Sequence, residues 1–61
     1  MAIDAVFQHE DGCKYNEVFT KRSKFLSAIK RRSKDVFVHA VDYDKHFIIY
    51  PSTIPEYRRL P

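Results

Sequence analysis

His9, Cys13, His39 and His46 are the only soft metal ligands in this chain, and Cys13 is its only thiol. Any metal or nucleophilic chemistry would have to start from them. His9 and Cys13 flank one turn and His39 and His46 span another, so they could converge. Structural zinc sites, however, draw on close Cys-x-x-Cys pairs, and a single cysteine makes none. The thiol therefore reads as buried and the three histidines as ordinary residues, with no metal and no cofactor expected. A Cys13–His9 nucleophile and base would still need an orienting third group and an oxyanion site, which nothing in the sequence supplies. Asp42 and Asp44 are the remaining pair of interest. A metal-dependent nuclease needs acids clustered beside a basic groove, whereas two aspartates two residues apart are explained by turn chemistry alone. No enzyme is expected.

The charged residues carry a clearer signal. The formal net charge of +3 conceals three blocks. Residues 1–20 set Lys14 against Asp4, Glu10, Asp11 and Glu17, for −3. Residues 21–34 hold Lys21, Arg22, Lys24, Lys30, Arg31, Arg32 and Lys34 with no acid, for +7. Residues 35–61 set Lys45, Arg58 and Arg59 against Asp35, Asp42, Asp44 and Glu56, for −1. A chain so segregated has one cationic side, which attracts anionic partners.

The elements that must position these charges follow from hydropathy patterning. Ile3 to Gln8 alternates as a strand with Ile3, Ala5 and Phe7 on one face. His9-Glu10-Asp11-Gly12 is a turn, since Asp-Gly accommodates positive φ, and Cys13 to Phe19 returns as a second strand. Thr20 or Ser23 is expected to cap a helix running to about Ser33. Asp35 to Val41 is the strand richest in β-branched residues. Asp42 to Lys45 turns it into His46–Tyr50, which Pro51 ends because it has no N–H for a ladder. The predicted fold is α+β, in the order β-β-α-β-β. It is a single domain over residues 1–61 with one four-stranded, mostly antiparallel sheet and one helix across one face. The strand order is left open.

On a helical wheel, Phe25, Leu26 and Ile29, with Ala28 at the margin, face the sheet. Lys24, Ser27, Arg31 and Lys34 align on the opposite side at spacings of three and four, with Lys30 beside them. Lys21, Arg22 and Arg32 fall nearer the apolar side and are candidates for internal pairs with acids of the hairpins. Exposed helices usually mix signs, because Glu–Lys pairs four apart each contribute ~0.2–0.5 kcal/mol. Here the neighbours Lys21 and Lys24, Lys30 and Lys34, and Arg31 and Lys34 are like-charged. Such a stripe is expected to bind a polyanion, DNA or RNA backbone foremost and an acidic protein surface otherwise. No zinc-finger spacing, Gly-rich KH-type loop, ribonucleoprotein strand or helix-turn-helix accompanies it, so contact would be to backbone with weak sequence preference.

Strict alternation places Val36, Val38 and Ala40 on one face of the third strand and Phe37, His39 and Val41 on the other. One helix covers only one sheet face, so Phe37, His39 and Val41 become a candidate partner or homodimer face unless the tail, residues 51–61, packs there through Ile54, Tyr57 and Leu60. A chain of 61 residues buries only ~60% of its unfolded surface, which makes added support welcome. No apolar run approaches ~18 residues, so no membrane span is expected. MAIDAVFQHEDG lacks the basic start and apolar stretch of a signal peptide, and a lone thiol suits a cytoplasmic setting. The expected function is a small, non-catalytic nucleic-acid-binding protein. The alternative is a small regulator or inhibitor, of the phage or virus accessory type, that binds a larger host protein.

Overall fold

The computed structural model of the chain describes residues 2–54. The elements run β1 (Ile3–Gln8), β2 (Lys14–Phe19), α1 (Arg22–Arg31), β3 (Val36–Asp42) and β4 (Phe47–Ile49), followed by a 3-10 turn over Pro51–Thr53. The four strands form one antiparallel sheet in the order β2-β1-β3-β4, with one helix, an α+β fold. Two hairpins are thus joined through their first and third strands, and β1 and β3 occupy the sheltered centre.

Each turn is held by its own polar groups. In the first, His9 N–H donates to the Cys13 carbonyl (2.8 Å), Gly12 N–H to the His9 carbonyl (2.9 Å) and Cys13 N–H to the Asp11 carboxylate (2.9 Å). That last bond holds the Asp11 carboxyl below its ordinary range. Gly12 has φ +96°, a conformation that side-chain-bearing residues rarely adopt. In the β3–β4 turn, the Asp42 carboxylate accepts from the N–H groups of Asp44 (3.0 Å) and Lys45 (3.1 Å). This accounts for an aspartate only 5% exposed, since its Oδ1 accepts both bonds within the turn.

The core is a single cluster of Ile3, Ala5, Phe7, Phe19, Phe25, Ala28, Ile29, Phe37, Ala40, Ile49 and Ile54. The helix rests on β1 and β2, while the 3-10 turn rests on β3. Ala5 pairs with Ala40 at the sheet centre, and Ala28 on the helix is likewise fully buried. Side chains this small let the two layers approach. Rings thread the core from end to end: Phe19–Phe25 at 5.8 Å, Phe25–Phe37 at 5.4 Å, Phe37–Phe7 at 5.8 Å and Phe7–Tyr15 at 5.5 Å between centroids. These are separations at which tilted and offset pairs attract.

Three expectations change on contact with the structure. The first concerns β3, where Val6 pairs with His39 but the next residue, Phe7, pairs with Phe37. Val38 is therefore an extra residue, a β-bulge, and the alternation slips by one across it. Phe37 is consequently 1% exposed and packs in the helix-side core, so it does not share the outer face with His39 and Val41. Val36 is the residue turned out, 54% exposed. The second concerns the helix, which ends at Arg31, short of Ser33, with Arg32 as its C-cap. Its N-cap is Lys21, with no side-chain cap from Thr20 or Ser23. The wheel also rotates slightly, since Ala28 is fully buried and Leu26 only half-buried at the core margin. The third concerns the tail: Ile54 is fully buried in the same cluster as the helix residues, while Tyr57 and Leu60 lie outside the described residues.

Candidate polyanion-binding site

The helix has a long cationic side because its other side is committed to the core. Phe25, Ala28 and Ile29 recur at spacings of three and four and are buried. This forces Lys24, Ser27, Lys30 and Arg31 outward, and all four are exposed. Lys34, expected on the same helical line, lies instead in the turn after the C-cap, where it is also exposed. It is a further exposed cation, carried by a different element.

Among the described residues, none of Lys24, Lys30, Arg31 and Lys34 forms an ion pair, and the first helical turn contains no acid. Lys30 and Arg31 occupy the last turn, where the helix dipole favours positive charge; Lys21, Arg22 and Lys24 gather at the opposite end, where it does not. Neither local pairing nor the dipole therefore compensates the whole stripe.

The C-terminal end of that stripe is fastened to the first hairpin by a polar cluster. Tyr15, Glu17 and Phe19 of β2 share the helix side of the sheet, because Tyr15 pairs with Phe7, Glu17 with Ala5 and Phe19 with Ile3. Glu17 thereby meets the Arg32 guanidinium in an ion pair at 2.5 Å. The guanidinium carbon lies 5.2 Å from the Phe7 ring centroid and 5.9 Å from that of Tyr15, within cation–π range. Its Nη1 is buried without a hydrogen-bond acceptor. Burial works against the charge of Arg32, but the bond and charge of Glu17 together with the Tyr15 hydroxyl outweigh it and raise the guanidinium pKa. Of the three cations expected to pair internally, Arg32 does so; Lys21 and Arg22 are exposed and make no ion pair among the described residues.

Asp35 completes the fastening just before β3. Its carboxylate accepts the Tyr15 hydroxyl at 2.5 Å and contacts His9 Nδ1 at 3.2 Å, and its N–H donates to the Arg32 carbonyl at 3.0 Å. The His9 ring stacks on Tyr15 at 4.4 Å. The Tyr15 hydrogen bond, reinforced by His9, holds the Asp35 carboxyl below its ordinary range. Burial, then the same carboxylate, pushes the Tyr15 phenol above its own. Sequence reasoning considered His9 only beside Cys13 and missed this cluster. Its members lie 20 and 26 residues apart, so no local spacing announces them.

The remaining candidates are dispersed. His39 and Val41 are half-buried on the outer face of β3, and Phe37 is not with them. Cys13 is exposed where the chain leaves the first turn, not buried as expected, because a residue at the end of a tight turn is carried outside the core. Among the described residues, no group of three or more His, Cys, Asp or Glu side chains is placed to hold a metal ion, and no helix is long and apolar enough to cross a membrane. No known family, curated protein or solved structure matches this chain.

Proposed function

We propose that this chain is a small, non-catalytic binding protein whose basic helix engages a polyanion, the backbone of DNA or RNA foremost. It acts in the cytoplasm, where a lone exposed thiol stays reduced. The observation that supports this reading is the exposed, acid-free stripe of Lys24, Lys30, Arg31 and Lys34 with no ion-pair partner among the described residues. Like charges held on one rigid surface repel one another, and an external anion converts that repulsion into attraction. The test is Lys24→Glu, Arg31→Glu and Lys34→Glu combined. Binding to heparin and to DNA should be lost while the far-UV spectrum and the melting curve are kept. Wild-type binding by a folded triple variant would refute the assignment.

A second reading, a regulator or inhibitor that docks on a larger protein, is favoured by a different observation. Tyr43, Phe47, Ile48 and Tyr50 are 43–57% exposed along the β3–β4 hairpin and the strand end beyond it. Salt separates the two readings. Phosphate binding weakens steeply and log-linearly with salt, whereas docking of an apolar edge does not.

A further inference from the structure

The polyanion reading leaves open which form of nucleic acid the helix meets, and we infer that it is the double-stranded form, held through its phosphates without reading of bases. The inference rests on that reading and concerns what surrounds the cations. Proteins that hold single strands combine a basic groove with aromatic platforms on which unpaired bases stack. This helix presents no exposed aromatic side chain. Phe7, Phe19, Phe25 and Phe37 are all spent on the core, and Tyr15 is enclosed between His9 and Phe7. Among the described residues, the exposed rings of Tyr43, Phe47 and Tyr50 belong to the β3–β4 side of the sheet, whereas the helix rests on β1 and β2; the exposed His9 ring, in the cluster at the helix end, is stacked on Tyr15. Among the described residues, Lys24, Lys30 and Arg31 therefore stand on an exposed side of the helix that carries no aromatic residue of its own, since the one ring in the helix, Phe25, is buried.

The helix is also rigid. Phe25, Ala28 and Ile29 anchor its underside, and Arg32 and Asp35 fasten its end to the first hairpin. At 1.5 Å of rise per residue, Lys24 and Arg31 are about 10 Å apart along the axis, the axial rise of about three nucleotides in one strand of a duplex. A fixed row of charges suits a fixed row of phosphates, and a duplex supplies one whereas a flexible single strand must be ordered first. Ser27, between the two cations, adds a hydroxyl that can donate to a phosphate oxygen.

Fluorescence anisotropy on the full chain tests this with a mixed-sequence DNA duplex, an RNA duplex, each separated strand, and heparin as competitor. At least one duplex should bind about tenfold more tightly than its strands. With four cations engaged, log affinity should fall with log salt at a slope of about −3.6, against about −2.8 for a single strand. Each of Lys24→Ala, Lys30→Ala, Arg31→Ala and Lys34→Ala should reduce the slope by about one unit without altering the melting curve. Single strands binding as tightly as duplexes would overturn the inference and leave the polyanion reading standing. So would more than about tenfold discrimination among duplex sequences, since a base-reading interface would then be at work. Binding to none of the nucleic acids and no heparin affinity would overturn both.

Discussion

Arg32 and Asp35 show how a helix end can be held by residues of modest burial. The Arg32 and Glu17 side chains keep 26% and 41% of their exposure, so their ion pair contributes no more than about 1 kcal/mol. Stacking on Phe7 and Tyr15 adds an amount of similar size. Arg32→Ala should therefore cost about 1–2 kcal/mol in a denaturant melt, and Arg32→Lys should recover little of it, because an ammonium has no planar group to lie over two rings while one nitrogen meets a carboxylate. The Tyr15–Asp35 contact makes a pH prediction with two limbs. Asp35 is held below its ordinary 3.8, so its contribution is present above that value and lost as pH falls through the folded one. Tyr15 is held above its ordinary 10.0, so its contribution is present below that value and lost as pH rises through the folded one. In Tyr15→Phe the alkaline loss should vanish. The Asp35 carboxyl, followed by NMR titration, should move back up toward its ordinary value. An unchanged Asp35 titration would mean that the hydroxyl does not hold the carboxylate.

At the scale of elements, the bulge in β3 decides which side chains reach the core. Deleting Val38 should leave a folded protein: with the extra residue gone, Phe37 and Ala40 still fall on one face and pairing to β1 becomes regular. Had the strand alternated strictly, Phe37 and Ala40 would have started on opposite faces, and the same deletion would have moved Val36 and Phe37 each to the face opposite its own. Loss of cooperative unfolding on deleting Val38 would therefore count against the bulge. The helix makes a matching prediction about packing. Ile29→Ala should cost about 2–5 kcal/mol, and Phe25→Ala about 3–5 kcal/mol. Leu26→Ala should cost distinctly less, because Leu26 stands at the core margin. Equal losses at Leu26 and Ile29 would restore the register that the wheel alone implies.

For the whole molecule, the interest lies in how so small a chain closes its core. The helix covers the β1–β2 half of one face, and the chain after β4 brings Ile54 into the same buried cluster. Ile54→Ala should accordingly cost about 2–5 kcal/mol, a large part of the stability of a domain this size. Ile48→Lys and Tyr50→Lys, at positions 46% and 50% exposed, should leave the melting temperature almost unchanged. That makes them clean probes of the protein-docking reading: if a larger partner exists, these variants lose it while heparin binding persists.

Element order, the turn at Asp11-Gly12, the separation of acid and base along the chain and the outward Lys24–Arg31 line were all legible in the sequence, because each depends on neighbours within a turn or two. Periodicity of 2 or 3.6 and the φ tolerance of glycine are local properties. The placement of Phe37 was not legible, since a bulge is a mismatch between two strands, and one strand read alone alternates perfectly well. The helix end was overestimated for a related reason: Ser33 and Lys34 suit a helix, but the chain must turn at Arg32 to deliver Asp35 to Tyr15 and His9. Strand order, the Arg32–Glu17 pair and the His9–Tyr15–Asp35 cluster belonged to tertiary structure alone. They join residues far apart in sequence, and only the antiparallel pairing of β1 with both β2 and β3 brings the first hairpin beneath the end of the helix.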